Sequence, residues 1–172
     1  MKKYLGIGIV LVLLACNSTE NKDTSSAKKI DTNLTQLSFS DEKVSQIYTD
    51  YLRLKDALVA TKFDESKSAA KSLVSSLKGY AGCENTALTA GTIVTAKDIA
   101  TQRKAFTSLS ADVIALFKHA AFSNGTIYVQ HCPMANNGNG GDWLSSEKKI
   151  QNPYYGSEMM ECGAVLEEIK AK

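Results

Sequence analysis

Residues 40–62 read SDEKVSQIYTDYLRLKDALVATK, and apolar side chains recur in them at Val44, Ile47, Tyr48, Tyr51, Leu54, Leu58 and Val59. That spacing is the 3.6-residue period of a helix with one face turned to a core, and Ser40 ahead of it is of the N-cap type. The helix is predicted to end near Lys62. Asp64 is placed to cap a second helix, whose inner face is Ala69, Ala70, Leu73, Val74, Leu77 and Tyr80 and which stops between Gly79 and Gly82. Cys83 to Gly91, rich in Thr, Ala and Asn, reads as a turn or a short helical piece. From Thr95 the period resumes through Ile99, Phe106, Leu109, Val113, Ile114, Leu116, Phe117 and Ala121, a third long helix ending before the turn dipeptide Asn124-Gly125. Three antiparallel long helices joined by short turns predict a mainly α protein, a helical bundle.

Beyond Gly125 the texture changes. Thr126-Ile127-Tyr128-Val129 alternates and favours a short strand, while Ala135 to Asp142 reads as a flexible Asn/Gly loop. Trp143-Leu144 and Asn152-Pro153-Tyr154-Tyr155-Gly156 follow, and a short helix is predicted from Ser157 to Ile169. Residues 39–172 are therefore predicted to form one domain, with 126–172 as a small irregular C-terminal segment carrying the unusual residues.

The other end of the chain speaks to location. Lys2 and Lys3 precede the apolar run Leu5 to Leu14, half the roughly 20 residues that a bilayer core requires, so residues 1–15 read as a signal peptide. Leu13-Leu14-Ala15-Cys16 has the form of a bacterial lipobox, in which Cys16 becomes the acylated N-terminus and anchors the chain to a membrane surface. Asn17 is not the aspartate associated with inner-membrane retention in some bacteria, which mildly favours the outer membrane. Residues 16–38, nearly all Asn, Ser, Thr, Lys and Asp, are predicted to be a flexible tether. The chain carries 20 Lys and Arg against 18 Asp and Glu. Lys2 and Lys3 account for the whole excess, and a neutral domain argues against nucleic acid as a partner.

Two short segments concentrate sulfur: His131-Cys132-Pro133-Met134 and Met159-Met160-Glu161-Cys162. The chain has four methionines and four cysteines, and every methionine but Met1 stands beside Cys132 or Cys162. Thiolate and thioether are soft donors, which favour Cu(I) or Ag(I), with Zn(II) on two thiolates a lesser option. On the predicted helix Met159 and Cys162 would lie one above the other, and Pro133 stiffens the Cys132–Met134 clip. Cys132, Met134, Met159 and Cys162 are thus candidate ligands, with His131 as a fifth. A disulfide between Cys132 and Cys162 is the competing use: in an oxidising compartment, closing a loop of about 30 residues would stabilise by roughly 3 to 4 kcal/mol. His119 reads as a structural histidine, Cys83 as a small buried hydrophobe, and Trp143, Tyr154 and Tyr155 as the core that holds the clips together.

The run from Tyr128 to Val165 resembles a domain family of unassigned function. The likeness rests on Cys132-Pro133-Met134-Ala135, Trp143-Leu144, Asn152-Pro153-Tyr154-Tyr155-Gly156 and Met159-x-x-Cys162-Gly163-x-Val165. That family occurs in bacterial lipoproteins and is appended to periplasmic adaptor subunits of copper/silver efflux systems of the resistance-nodulation-division type. The resemblance implies a helical domain that handles heavy metal, with Cys132, Met134, Met159, Cys162 and His131 as ligands and a metal-efflux or copper-accepting protein as partner. The chain is too short for the hairpin, lipoyl-like and barrel domains of an adaptor, so it is expected to be a free-standing version of the appended domain. No Gly-x-Ser-x-Gly elbow, His-Glu-x-x-His or phosphate loop occurs, and a non-enzymatic role is expected.

Overall fold

The computed structural model describes residues 37–171. The expected signal peptide, the expected lipidation site Cys16 and nearly all of the predicted tether lie outside the described residues.

Four long helices form the body, one more than the periodicity alone predicts. The first, α1, runs Glu42–Val59, and its N-cap is Asp41 rather than Ser40, the carboxylate accepting the Lys43 N–H at 2.8 Å. It ends where Thr61 takes a left-handed φ of 57° and the Lys62 N–H reaches the Ala57 carbonyl. The second, α2, is Phe63–Lys78; Asp64 sits inside its first turn instead of capping it. The ambiguous stretch after Cys83 is a true helix, α3 (Glu84–Thr95), with the small residues Ala87 and Ala90 and Ile93 turned inward. The predicted third helix therefore starts later, as α4 (Ile99–His119), because the Asp98 side chain accepts the Thr101 N–H at 2.7 Å and fixes a new N-terminus there. Consecutive helices pack on each other in chain order. Ile47, Tyr51, Leu54, Leu58, Leu73, Leu77, Phe106, Leu109 and Phe117 are fully buried between them. Each such side chain contributes about 1.5–3 kcal/mol of burial free energy before entropy is counted. Among the described residues no helix is long and apolar enough to cross a membrane.

The C-terminal region is a three-stranded antiparallel sheet in the order β2-β1-β3. Its strands are β1 (Thr126–Cys132), β2 (Gly141–Ser145) and β3 (Ala164–Lys170). The short strand predicted at residues 126–129 is thus real and longer, but the helix predicted over Ser157–Ile169 is not there. In its place stand a single 3₁₀ turn, Gly156–Glu158, and β3. Ala164-Val165-Leu166-Glu167-Glu168-Ile169-Lys170 is tolerable to a helix by propensity, yet the ladder with β1 overrides it. Gly163 breaks the chain ahead of that ladder, with φ 148° and its α-carbon so close to β1 that a Cβ would lie 2.7 Å from the His131 carbonyl.

The connection from β1 to β2 is a tight, internally bonded turn. Asn136 and Asn137 adopt left-handed backbone angles, which asparagine tolerates, and the Asn136 side-chain amide donates to the Gly140 carbonyl at 2.8 Å. The sheet is joined to the helices through the Tyr51 hydroxyl, which lies 2.6 Å from Ser110 Oγ and accepts the Leu144 N–H at 3.1 Å. Phe106 completes the joint, stacked on Tyr51 and tilted against Tyr154.

Candidate functional site

β1 places its side chains alternately on the two faces of the sheet. Its register with β2 sets Gln130 opposite Trp143, His131 opposite Asp142 and Cys132 opposite Gly141. Gln130, Trp143 and Cys132 therefore share a face, and all three are fully buried. That face is covered by the connector leading to β3. The Gln130 side-chain amide donates to the carbonyls of Glu147, Lys148 and Lys149, and Gly163 lies against the Trp143 ring.

On this covered face the two sulfur segments meet. Cys132 Sγ and Cys162 Sγ are 2.8 Å apart, although 30 residues separate them in sequence. Cys132 is fully buried in the central strand, and Cys162 is half-buried in the turn whose N–H donates to the Met159 carbonyl at 3.1 Å. The hydrogen bond with Cys132 and, after it, burial push the Cys162 thiol above its ordinary range, against an opposing bond from the Met134 backbone. Met134, two residues beyond Cys132, is 52 % exposed.

The other sulfur and imidazole groups take different places. Met159 is half-buried and ends the 3₁₀ turn, so it shares a turn with Cys162 rather than the predicted helix face. His131 lies on the opposite face from Cys132, where its Nδ1 meets Asp142 Oδ1 at 2.6 Å and its ring lies over Gly140. Sequence adjacency to Cys132 therefore does not bring the imidazole to the thiols, because a strand turns neighbours away from each other. His119 is exposed at the end of α4, and Cys83 is buried among the helices with its thiol pushed up by burial. Trp143 and Tyr154 pack edge to face, as the core reading of these rings anticipates.

Among the described residues no three His, Cys, Asp or Glu side chains converge on a point. A metal centre here would have to rest on the thiol pair. Two thiolates on one tetrahedral ion, each at about 2.3 Å, are roughly 3.8 Å apart. The pair fits a soft ion in chemistry, and it fits in geometry once the sulfurs part by about 1 Å. Cys162 lies in a turn, outside the ladders, while Cys132 is held between two strands.

Sequence reasoning missed the groups that hold the pair. Asn152, fully buried, donates its side-chain amide to the Cys162 carbonyl at 2.9 Å, accepts the Tyr154 N–H at 2.8 Å, and gives its own N–H to the Met160 carbonyl. The Tyr155 hydroxyl donates to the Met134 carbonyl at 2.6 Å. Arg103, from α4, reaches the Pro153 carbonyl through Nε and the Leu58 carbonyl and Thr61 hydroxyl through Nη2, which ties this segment to the α1–α2 turn. The available signal was Asn-Pro-Tyr-Tyr-Gly, a turn-forming sequence carrying two hydroxyls and an amide between the clips.

No curated protein and no solved structure matches the chain. Residues 47–125, which run from within α1 to the turn before β1 and stop short of both sulfur segments, match the family model described as protein of unknown function (DUF3347).

Proposed function

We propose that the protein is a bacterial envelope lipoprotein that binds a soft metal ion. In this reading it is anchored through acylated Cys16 on the periplasmic side, with the outer membrane mildly preferred. The ion is Cu(I) first, Ag(I) or Zn(II) after it, held for buffering or for transfer to an efflux or copper-accepting partner. The observation that carries the reading is the approach of Cys132 and Cys162 to 2.8 Å from two distant segments, with Met134 exposed two residues beyond Cys132. Soft thiolate and thioether donors select Cu(I) over harder cations, and binding requires no catalytic base. Met159 adjoins the pair through its turn. His131, on the opposite face of β1 and bonded to Asp142, would join only if the end of the strand rearranged.

Replacing Cys132 or Cys162 with serine removes one of two thiolates. Each single variant is expected to lose at least tenfold in Cu(I) affinity in a competition titration, and the double variant to lose tight binding altogether. Unchanged affinity in the double variant would refute the proposal.

The same 2.8 Å approach supports a second reading, a disulfide-stapled helical interaction module with no metal. That module predicts no free thiols at positions 132 and 162 in protein purified without reductant, and no thiol protection by Cu(I) after reduction.

A further inference from the structure

We infer that Asn152 and Tyr155 are positioning residues that set the separation of the two thiols, and so decide how readily the pair closes into a disulfide or opens around an ion. This rests on the reading that Cys132 and Cys162 form the working site. Cys132 is fixed by the ladders of β1, so the separation is set by what holds Cys162 and the turn that leaves Cys132. Two restraints act there. Asn152 grips the Cys162 carbonyl directly, while Tyr155 holds the Met134 carbonyl, two residues beyond Cys132. One five-residue segment thereby clamps both clips, and Arg103 fixes that segment to the helices. Gly156 at its end, with φ 59°, passes so close to the Thr61 hydroxyl and Arg103 that no Cβ fits, which holds the clamp against α1 and α4.

Closure joins the two sulfurs by one S–S bond. Two electrons and two protons pass to glutathione disulfide, whose own S–S bond breaks to give two molecules of glutathione. The equilibrium constant for that exchange measures the effective concentration of one protein thiol at the other, which a looser clamp lowers.

The test measures this constant for the full chain in glutathione buffers of graded ratio, with melting temperature recorded in parallel. Tyr155→Phe removes one hydroxyl from a half-buried ring, and the loss of one hydrogen bond predicts a roughly three- to tenfold fall in the constant. Asn152→Ala should fall further; should it fail to fold, Tyr155→Phe alone decides. Ser66→Ala, which removes a buried hydroxyl bonded to the Lys62 carbonyl on α2, is the control and should leave the constant at the wild-type value. A Tyr155→Phe constant equal to wild type, or a wild-type pair that never closes in any buffer, overturns the inference. Failure of Cu(I) to bind, with the Tyr155→Phe shift present, would refute the metal reading and leave the clamp standing.

Discussion

The helices between Glu42 and His119 and the sheet between Thr126 and Lys170 are held together by contacts of different range. In the helical part each backbone bond closes within four residues and each helix packs on its chain neighbour, so one register error stays local. In the sheet every ladder joins segments separated by a turn or by the long connector, and the thiol pair depends on both ladders at once. The joint between them centres on aromatic side chains, with the Tyr51 hydroxyl on the Leu144 N–H and Phe106 between Tyr51 and Tyr154, and polar contacts of α4 such as Arg103 to Pro153 and Lys118 to Glu167 flank it. A region built from local contacts tolerates a lost side chain by repacking within one helix pair. A region built from distant pairings loses its site when one crossing point fails.

The largest effect is expected at the joint. Phe106→Ala leaves a cavity beside two buried rings, Tyr51 and Tyr154, and it should cost about 3–5 kcal/mol in urea unfolding. Trp143 is the only tryptophan and lies in the sheet, so its fluorescence follows that region while far-ultraviolet circular dichroism follows the helices. In the wild type the two signals should change together; separate midpoints would show that the joint does not couple the regions.

A smaller and more local effect is expected at Gly163. A Cβ there would meet the His131 carbonyl, Trp143 and Ile150, and the backbone angle is one that side chains rarely adopt. Gly163→Ala should cost roughly 1–3 kcal/mol, shift Trp143 fluorescence, and leave the helical dichroism of the native state unchanged. Loss of helical signal instead would mean that the sheet supports the bundle rather than resting on it.

The smallest effect is in pH. Because the folded Cys162 thiol holds its proton more tightly than an unfolded one, its contribution is full below the ordinary thiol range, near pH 8.5, and declines as pH rises toward the folded value. Cys83, raised by burial, acts in the same window, so the quantity to measure is the difference in melting temperature between reduced wild type and Cys162→Ser. That difference should shrink from pH 8 to pH 10. A difference that grows would reverse the sign of the Cys162 effect.

This contrast also explains what was legible in the sequence. Helices α1 and α2 follow directly from the spacing of Ile47, Tyr51, Leu54 and Leu58 and of Ala70, Leu73 and Leu77, because helical burial is written at short range. The division between α3 and α4 was legible too, in Asp98, but the apolar period on either side masked that cap. Strand β3 was not legible: Val165, Leu166 and Ile169 suit a helix equally well, and only the partner strand decides. The sulfur segments were visible as composition, and their meeting depended on β3, so the convergence of Cys132 and Cys162 emerges from the fold while the approach of His131 does not. Asn152 and Tyr155 were in plain sight as a motif, but a hydrogen bond to a distant carbonyl leaves no periodic trace.

The most direct test of the account is a titration of the reduced full chain with Cu(I) against a chromophoric competitor, with free thiols counted before and after. Tight binding of one ion, with Cys132 and Cys162 both protected, is the predicted result. An ion that fails to compete, together with thiols at 132 and 162 that close to a disulfide on exposure to air, would contradict it.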